Sequence, residues 1–344
     1  MHRTNYLVAT SLLTGALCAS PLRAHADISV TITPERASLG TRDEVMVTVI
    51  LANTGATPAR IALGRTPFGP EEGALFDITR DGQPVRYLGR KVKRAPPVEA
   101  DLLVLAPGET RSARVELSAT YDMAATGAYA VRYRDAAPAT IARAGGIVSN
   151  TAAIFIEGRL ARGTATPLLA APAGSGLSYA NCSNAQQATI ADALAAGSAM
   201  AAGGHAYLSS GKEAGQRYIN WFGALDAARQ GTVGQHFTAI KDAFETKPVK
   251  VDCGCDEDYF AYVYPARPYT IYVCNAFWSA PLTGTDSKGG TLLHEMSHFD
   301  VVAGTDDHVY GQQGAAEIAR TAPQRAINNA DSHEYFGENS PPLN

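Results

Sequence analysis

The apolar period of this chain changes once, from two residues to about 3.6, and a single kind of layer cannot satisfy both. Before residue 158 the pattern alternates. Ile28-Ser29-Val30-Thr31-Ile32-Thr33 places every second residue on one face. Val45–Leu51 is rich in β-branched residues and ends at the turn Asn53-Thr54-Gly55. Leu102–Leu105, Ala113–Leu117, Tyr129–Tyr133 and Ala153–Ile156 continue the series. Short strands separated by turn signals predict an all-β, immunoglobulin-like sandwich over residues 27–158.

Residues 159–177 carry neither period. Gly163-Thr164-Ala165-Thr166-Pro167 and Ala170-Ala171-Pro172-Ala173-Gly174-Ser175-Gly176 are small, Pro- and Gly-rich and nearly uncharged, which predicts an exposed linker open to proteolytic nicking. From residue 178 the period turns helical. Ser183 can cap a helix running to about Met200, with Gly203-Gly204 expected to end or kink it. Further helical patterns cover roughly 214–229 and 233–244. Phe260–Tyr264 and Thr270–Cys274 alternate across Pro265-Ala266-Arg267-Pro268 and read as a hairpin. Helix and loop resume at about Leu292. The second half, 178–344, is therefore expected to be α+β. A length of 344 residues suits this two-domain division. The net charge of −4 leaves no basic stripe, which argues against nucleic acid as a partner.

The N-terminus reads as a targeting signal. His2 and Arg3 precede an apolar run from Tyr6 to Ala19, and Ala24-His25-Ala26 offers small residues around a cleavage point. The run is shorter than the roughly 20 residues a membrane span needs. Residues 1–26 are thus expected to be a signal peptide, leaving an exported protein with no membrane anchor. Cys18 follows bulky Leu17 and belongs to the discarded segment. An oxidising compartment favours pairing of Cys182, Cys253, Cys255 and Cys274. Cys253 and Cys255 are too close to bridge each other, so two pairings stay open.

The chemistry concentrates at Thr291-Leu292-Leu293-His294-Glu295-Met296-Ser297-His298-Phe299. Residues i and i+4 share a helix face, so His294 and His298 can point both imidazoles at one metal ion. Glu295 stands beside them to handle the proton of an activated water. This is the H-E-x-x-H arrangement of zinc proteases. A catalytic zinc site takes three protein ligands and keeps one position open. The metzincin pattern is absent, because Val301 and Gly304 stand where its Gly and His belong. Glu317, nineteen residues after His298, is one candidate third ligand. Asp307 is the other, since Gly304 can turn the chain back after the motif helix. His308 can also coordinate but competes with Asp307 for one vertex.

The string Gly304-Thr305-Asp306-Asp307-His308-Val309-Tyr310-Gly311 resembles the G-T-x-D-x-x-Y-G of the aspzincins, the deuterolysins and peptidyl-Lys metalloendopeptidases. Ser178-Tyr179, Cys182, Phe260–Pro265, Ala276-Phe277-Trp278 and Thr283–Ser287 extend the resemblance over nearly all of 178–344. The resemblance implies a zincin-like protease domain holding one zinc ion on His294, His298 and Asp307. It implies Glu295 as general base and Tyr310 as hydroxyl donor to the oxyanion. It implies the disulfides Cys182–Cys253 and Cys255–Cys274, and leaves Glu317 on a helix surface. Asn329–Phe336 resembles the peptidyl-Lys branch. There Asp331 and Glu334 would line a pocket for a lysine ammonium, with cleavage on its amino side. Without that role the two acids would be an exposed charge pair.

Residues 27–158 lie outside the mature enzymes' match and are read as a prodomain or an accessory domain. With no cysteine in 27–176, a thiolate cannot cap the zinc. Lys91 and Lys93, beside Arg90 and Arg94, are read as a solvated loop, with entry into an acidic pocket as the alternative. The linker offers Arg159 and Arg162 but no lysine. A lysine-directed enzyme then needs another protease, or relaxed specificity, to mature there. The expected protein is a monomeric zinc endopeptidase made as a proenzyme, acting on protein or peptide substrates in an extracellular or periplasmic space. The rivals are a broad-specificity deuterolysin-like protease and a metal-free secreted binding protein with a decayed protease domain.

Overall fold

The strand Met46–Asn53 alternates half-buried and buried positions residue by residue, sending Val47, Val49 and Leu51 into the core. It is the centre of the first sheet. Asp27–Pro34 pairs with it antiparallel on one side and Thr110–Glu116 on the other. Gly145–Ser149 pairs parallel with Asp27–Pro34 at the edge. A second sheet runs in the order Ser38–Leu39, Thr151–Ile156, Gly127–Tyr133, Phe76–Arg80, Gln83–Pro84. Val30, Ile32 and Val49 of the first sheet and Ile78, Tyr129, Val131 and Ile154 of the second share one apolar cluster. Each such buried side chain contributes about 1.5–3 kcal/mol.

The computed structural model describes residues 27–40, 43–134, 145–158, 176–210 and 215–343. The expected signal peptide lies outside the described residues, as does the expected linker up to residue 175. The last two linker positions are strand instead. Gly176 and Leu177 begin Gly176–Ala180, which pairs parallel with Pro248–Asp252. Among the described residues no helix is long and apolar enough to cross a membrane.

A third sheet joins the two halves. Gly176–Ala180, Pro248–Asp252 and Thr270–Val273 run parallel, and Ala261–Val263 pairs antiparallel with Thr270–Val273. The fifth strand is Lys91–Lys93, from the N-terminal half, antiparallel to Ala261–Val263. Its residues are buried, which overturns the solvated-loop reading of Lys91 and Lys93. The strand was missed because three residues are too short to show a period.

Ser183 caps the helix Asn184–Leu208 with a reciprocal Ser183–Gln186 box. Contrary to expectation this helix runs straight through Gly203-Gly204. The reason is packing: a Cβ at Gly204 would stand 2.4 Å from the Phe237 ring, so glycine admits the ring that tertiary packing needs. The pattern expected over 214–229 divides into Gln216–Phe222 and the start of Ala227–Thr246. The break is at Gly223, whose φ of +84° leaves the helical region, and Asp226 caps the next helix. Ile190, Phe237, Val251, Ile271, Leu292 and Phe336 meet in a second apolar cluster under the third sheet. The bridges Cys182–Cys253 and Cys255–Cys274 are both formed. Closing loops of 71 and 19 residues stabilises the fold by about 4 and 3 kcal/mol in the chain-entropy picture.

Candidate active site

Ser287 accepts a hydrogen bond from Gly290 N at 2.9 Å and starts the helix Lys288–His298. Every residue of that helix is buried, so its two imidazoles are held by packing on all sides. His294 Nε2 and His298 Nε2 lie 3.1 Å apart. The chain then doubles back at Gly304, whose φ is +60°. Asp307 returns to the helix with Oδ1 3.2 Å from His294 Nε2 and Oδ2 3.3 Å from His298 Nε2.

Three donors about 3.2 Å apart suit one small ion. Ligands about 2.0–2.1 Å from a tetrahedral zinc are separated by about 3.4 Å. Both Asp307 oxygens are buried without a hydrogen-bond partner, which would be costly unless a cation satisfied them. Two neutral imidazoles and a carboxylate are also a donor set zinc accepts. The residues therefore fit the metal. Neighbours orient the rings: His298 Nδ1 donates to Thr305 O at 2.8 Å, which turns Nε2 toward the ion position. His294 Nδ1 approaches Asp331 Oδ1 at 2.9 Å, off the hydrogen-bonding line, and Glu334 Oε2 at 3.2 Å. Glu295 is fully buried with neither oxygen partnered, and burial pushes its carboxyl up to about 8.

Asp331 and Glu334 are not an exposed pair. Both are buried on the helix Ala330–Glu338, and an ammonium sits between them. Lys93 Nζ, 1% exposed, lies 2.6 Å from Glu334 Oε2, 3.5 Å from Asp286 Oδ1 and 3.6 Å from Asp331 Oδ1. Burial alone would lower the lysine's pKa, but the three carboxylates together raise it above the ordinary value. Burial likewise opposes ionisation of Asp331, yet Lys93 and His294 hold it below the usual carboxylate range. Burial pushes Glu334 up, and the adjacent Asp331 adds to the shift.

Three pocket residues escaped the sequence reading. Asp286 forms the outer wall, and Tyr335 donates to its Oδ1 at 2.7 Å. Phe260 places its ring 5.2 Å from Lys93 Nζ. All three stand in the sequence only as parts of motif strings, and their meeting around a distant lysine leaves no local signal. Tyr310 is brought to the same cleft, where its hydroxyl donates to Val92 O at 2.9 Å. The rival ligands stay away: Glu317 pairs with Arg320 at 2.7 Å, and the backbone of His308 binds Asn329 Oδ1 at 2.9 Å. Neither Glu317 nor His308 joins the groups able to hold a metal among the described residues.

Cations of the N-terminal half surround the cleft. Lys91 Nζ reaches Asp306 Oδ1 at 2.7 Å and Arg134 reaches Asp306 Oδ2 at 2.5 Å. Arg65 donates to the carbonyl of Asp307, and Arg90 pairs with Glu257 at 2.9 Å.

The family model described as lysine-specific metallo-endopeptidase matches residues 207–338. An extracellular protease of Aeromonas hydrophila is 43% identical over 97% of this chain and 98% of its own. A peptidyl-Lys metalloendopeptidase of Armillaria mellea is 35% identical over 87% of this chain and 88% of its own. Among solved structures, a zinc peptidase from Grifola frondosa is 44% identical, covers 47% of this chain and all of its own, and superposes with a TM-score of 0.46.

Proposed function

The chain belongs to the aspzincin family of metalloendopeptidases, and on that premise we propose that it is an exported zinc endopeptidase, made as a proenzyme, that cleaves on the amino side of lysine. The observation that carries the reading is the triangle of His294 Nε2, His298 Nε2 and Asp307 carboxylate oxygens, with sides of 3.1–3.3 Å, beside the buried Glu295. Zinc held there supplies Lewis acidity, which makes water a nucleophile at neutral pH. Glu295 accepts the water's proton and returns it to the leaving amine. Tyr310 offers its hydroxyl to the carbonyl oxygen as negative charge develops on it. Asp331 and Glu334 bind the substrate ammonium by charge-assisted hydrogen bonds. Support for lysine comes from Lys93, an ammonium of this chain's own seated between those acids.

The proenzyme reading takes residues 1–26 as a signal peptide, 27–158 as an immunoglobulin-like prodomain, 159–177 as the cleaved linker and 178–344 as the protease. Strand Lys91–Lys93 fills the cleft, which favours a blocking role for the first half over a separate accessory one. Secretion draws on the N-terminal pattern and on the relative named as an extracellular protease. The test is a digest of an unfolded protein by the linker-cleaved form, with and without a chelator. Cuts should fall before lysine and vanish with the chelator. Scattered, chelator-sensitive cuts would favour a broad-specificity protease, and absence of both zinc and proteolysis would reject the enzyme reading.

A further inference from the structure

Cleavage on the amino side of a lysine breaks the bond between its nitrogen and the preceding carbonyl carbon. A chain presented for that cut must satisfy two placements at once. The lysine ammonium must fill the acidic pocket, and the carbonyl just before it must lie on the hydroxyl that stabilises the oxyanion. Residues 92 and 93 satisfy both: Lys93 Nζ is 2.6 Å from Glu334 Oε2, and Tyr310 donates to Val92 O at 2.9 Å. The backbone is held as a bound peptide would be, by strand addition. Val92 stands opposite Tyr262 and Lys93 opposite Ala261, and Phe260 N donates to Lys93 O at 3.0 Å. Composition points to the same place. Lys91 and Lys93 are the only lysines in the first 211 residues, and both lie on this strand.

We infer that Val92–Lys93 is a built-in scissile bond, which the protein hydrolyses in its own N-terminal half. The inference rests on the lysine-specific reading above. Water adds to the Val92 carbonyl carbon and the C–N bond breaks. Val92 keeps the new carboxylate, and Lys93 leaves as a free amine with the proton passed by Glu295. No reactant beyond water is needed. The cut opens the strand without shedding the domain, because strands of the first core lie both before residue 92 and after residue 101. Both disulfides lie beyond residue 181, so neither joins the two pieces.

The test incubates the full chain with zinc and follows it by non-reducing denaturing gel, intact mass and N-terminal sequencing. The expected result is a fragment beginning at Lys93, formed at a first-order rate unchanged over a tenfold dilution. It should be absent from Glu295→Gln, Lys93→Gln and the chelated wild type, the last serving where a variant fails to fold. An intact bond in protein whose linker-cut form cleaves an added lysine peptide would overturn the inference and leave the lysine reading standing. An intact bond with no cleavage of that peptide would overturn both. A Lys93 fragment in Glu295→Gln, or a rate that falls on dilution, would assign the cut to another molecule and overturn self-presentation.

Discussion

Lys91 and His298 converge on one acceptor: the carbonyl oxygen of Thr305 receives Lys91 Nζ at 2.6 Å and His298 Nδ1 at 2.8 Å. A cation from the first half thereby braces the loop that orients an imidazole of the second. Lys91 also pairs with Asp306, the residue before Asp307. Docking of the N-terminal half and the shape of the His294–His298–Asp307 triangle are coupled through three consecutive residues.

That coupling predicts that Lys91→Met weakens zinc binding by the full chain without touching a ligand. Loss of an outer partner typically costs 10–100-fold in affinity, and a shared acceptor places this variant toward the lower end. Competition with a chromophoric chelator measures it. Unchanged affinity would show that the loop holds its shape unaided.

Glu295→Gln should keep zinc and lose activity. The carboxylate lies outside the donor triangle, while proton transfer by a placed base is worth roughly 10²–10⁴-fold. Metal analysis beside kcat of the linker-cleaved enzyme separates the effects. Zinc loss in this variant would make Glu295 a ligand instead.

Lys93→Ala should destabilise the full chain strongly. It strips the ammonium from Asp331 and Glu334 and leaves buried carboxylates unpaired, a change that costs about 3–5 kcal/mol. Denaturant unfolding reports it. Adding Glu334→Gln to the variant should recover part of the loss, since two residues in contact are not additive.

In the linker-cleaved enzyme, Glu334→Leu should lower kcat/KM for lysine peptides by about 10–100-fold, the worth of one hydrogen bond to a charge. The loss should fall mainly on KM, because the pocket holds the side chain and not the reacting carbonyl. A peptide with norleucine in place of lysine should lose far less. Equal losses on both would remove Glu334 from ammonium recognition.

Acid should unfold the protein in two stages. His333 is buried against the Phe237 ring and beside His236, and burial followed by His236 depresses it to about 3. Its unfolded form protonates first, so stability falls as pH drops below about 6.5, by up to about 1.4 kcal/mol per unit, until pH nears 3. Asp306 follows. Burial pushes it up, but Lys91 and Arg134 hold it well below the usual range. Its contribution is full above about pH 4 and is lost as pH falls further. Thermal melts from pH 7.5 to 3 should become less steep between 6.5 and 4 in His333→Gln, the remaining slope coming from His308, which burial depresses to about 3 as well. An unchanged slope would place the acid sensitivity elsewhere.

Short-range patterns were legible in the residues alone. Alternation in Ile28–Thr33, the Ser183 cap and the His294–His298 spacing each depend on neighbours a few residues away, and each appears where the pattern puts it. The meeting of Asp307 with that helix was legible through a motif, because Gly304 makes the return within nine residues. Helix ends were less so: Gly203-Gly204 reads as a break until Phe237 arrives to pack on it. Burial of Lys93 against Glu334 joins residues 241 apart. No local pattern marks a three-residue strand or says which acids will surround its lysine, because only chain folding removes those charges from water and brings them together. Residue order therefore set the elements and the reacting groups, whereas tertiary packing decided that this chain's own lysine occupies the pocket.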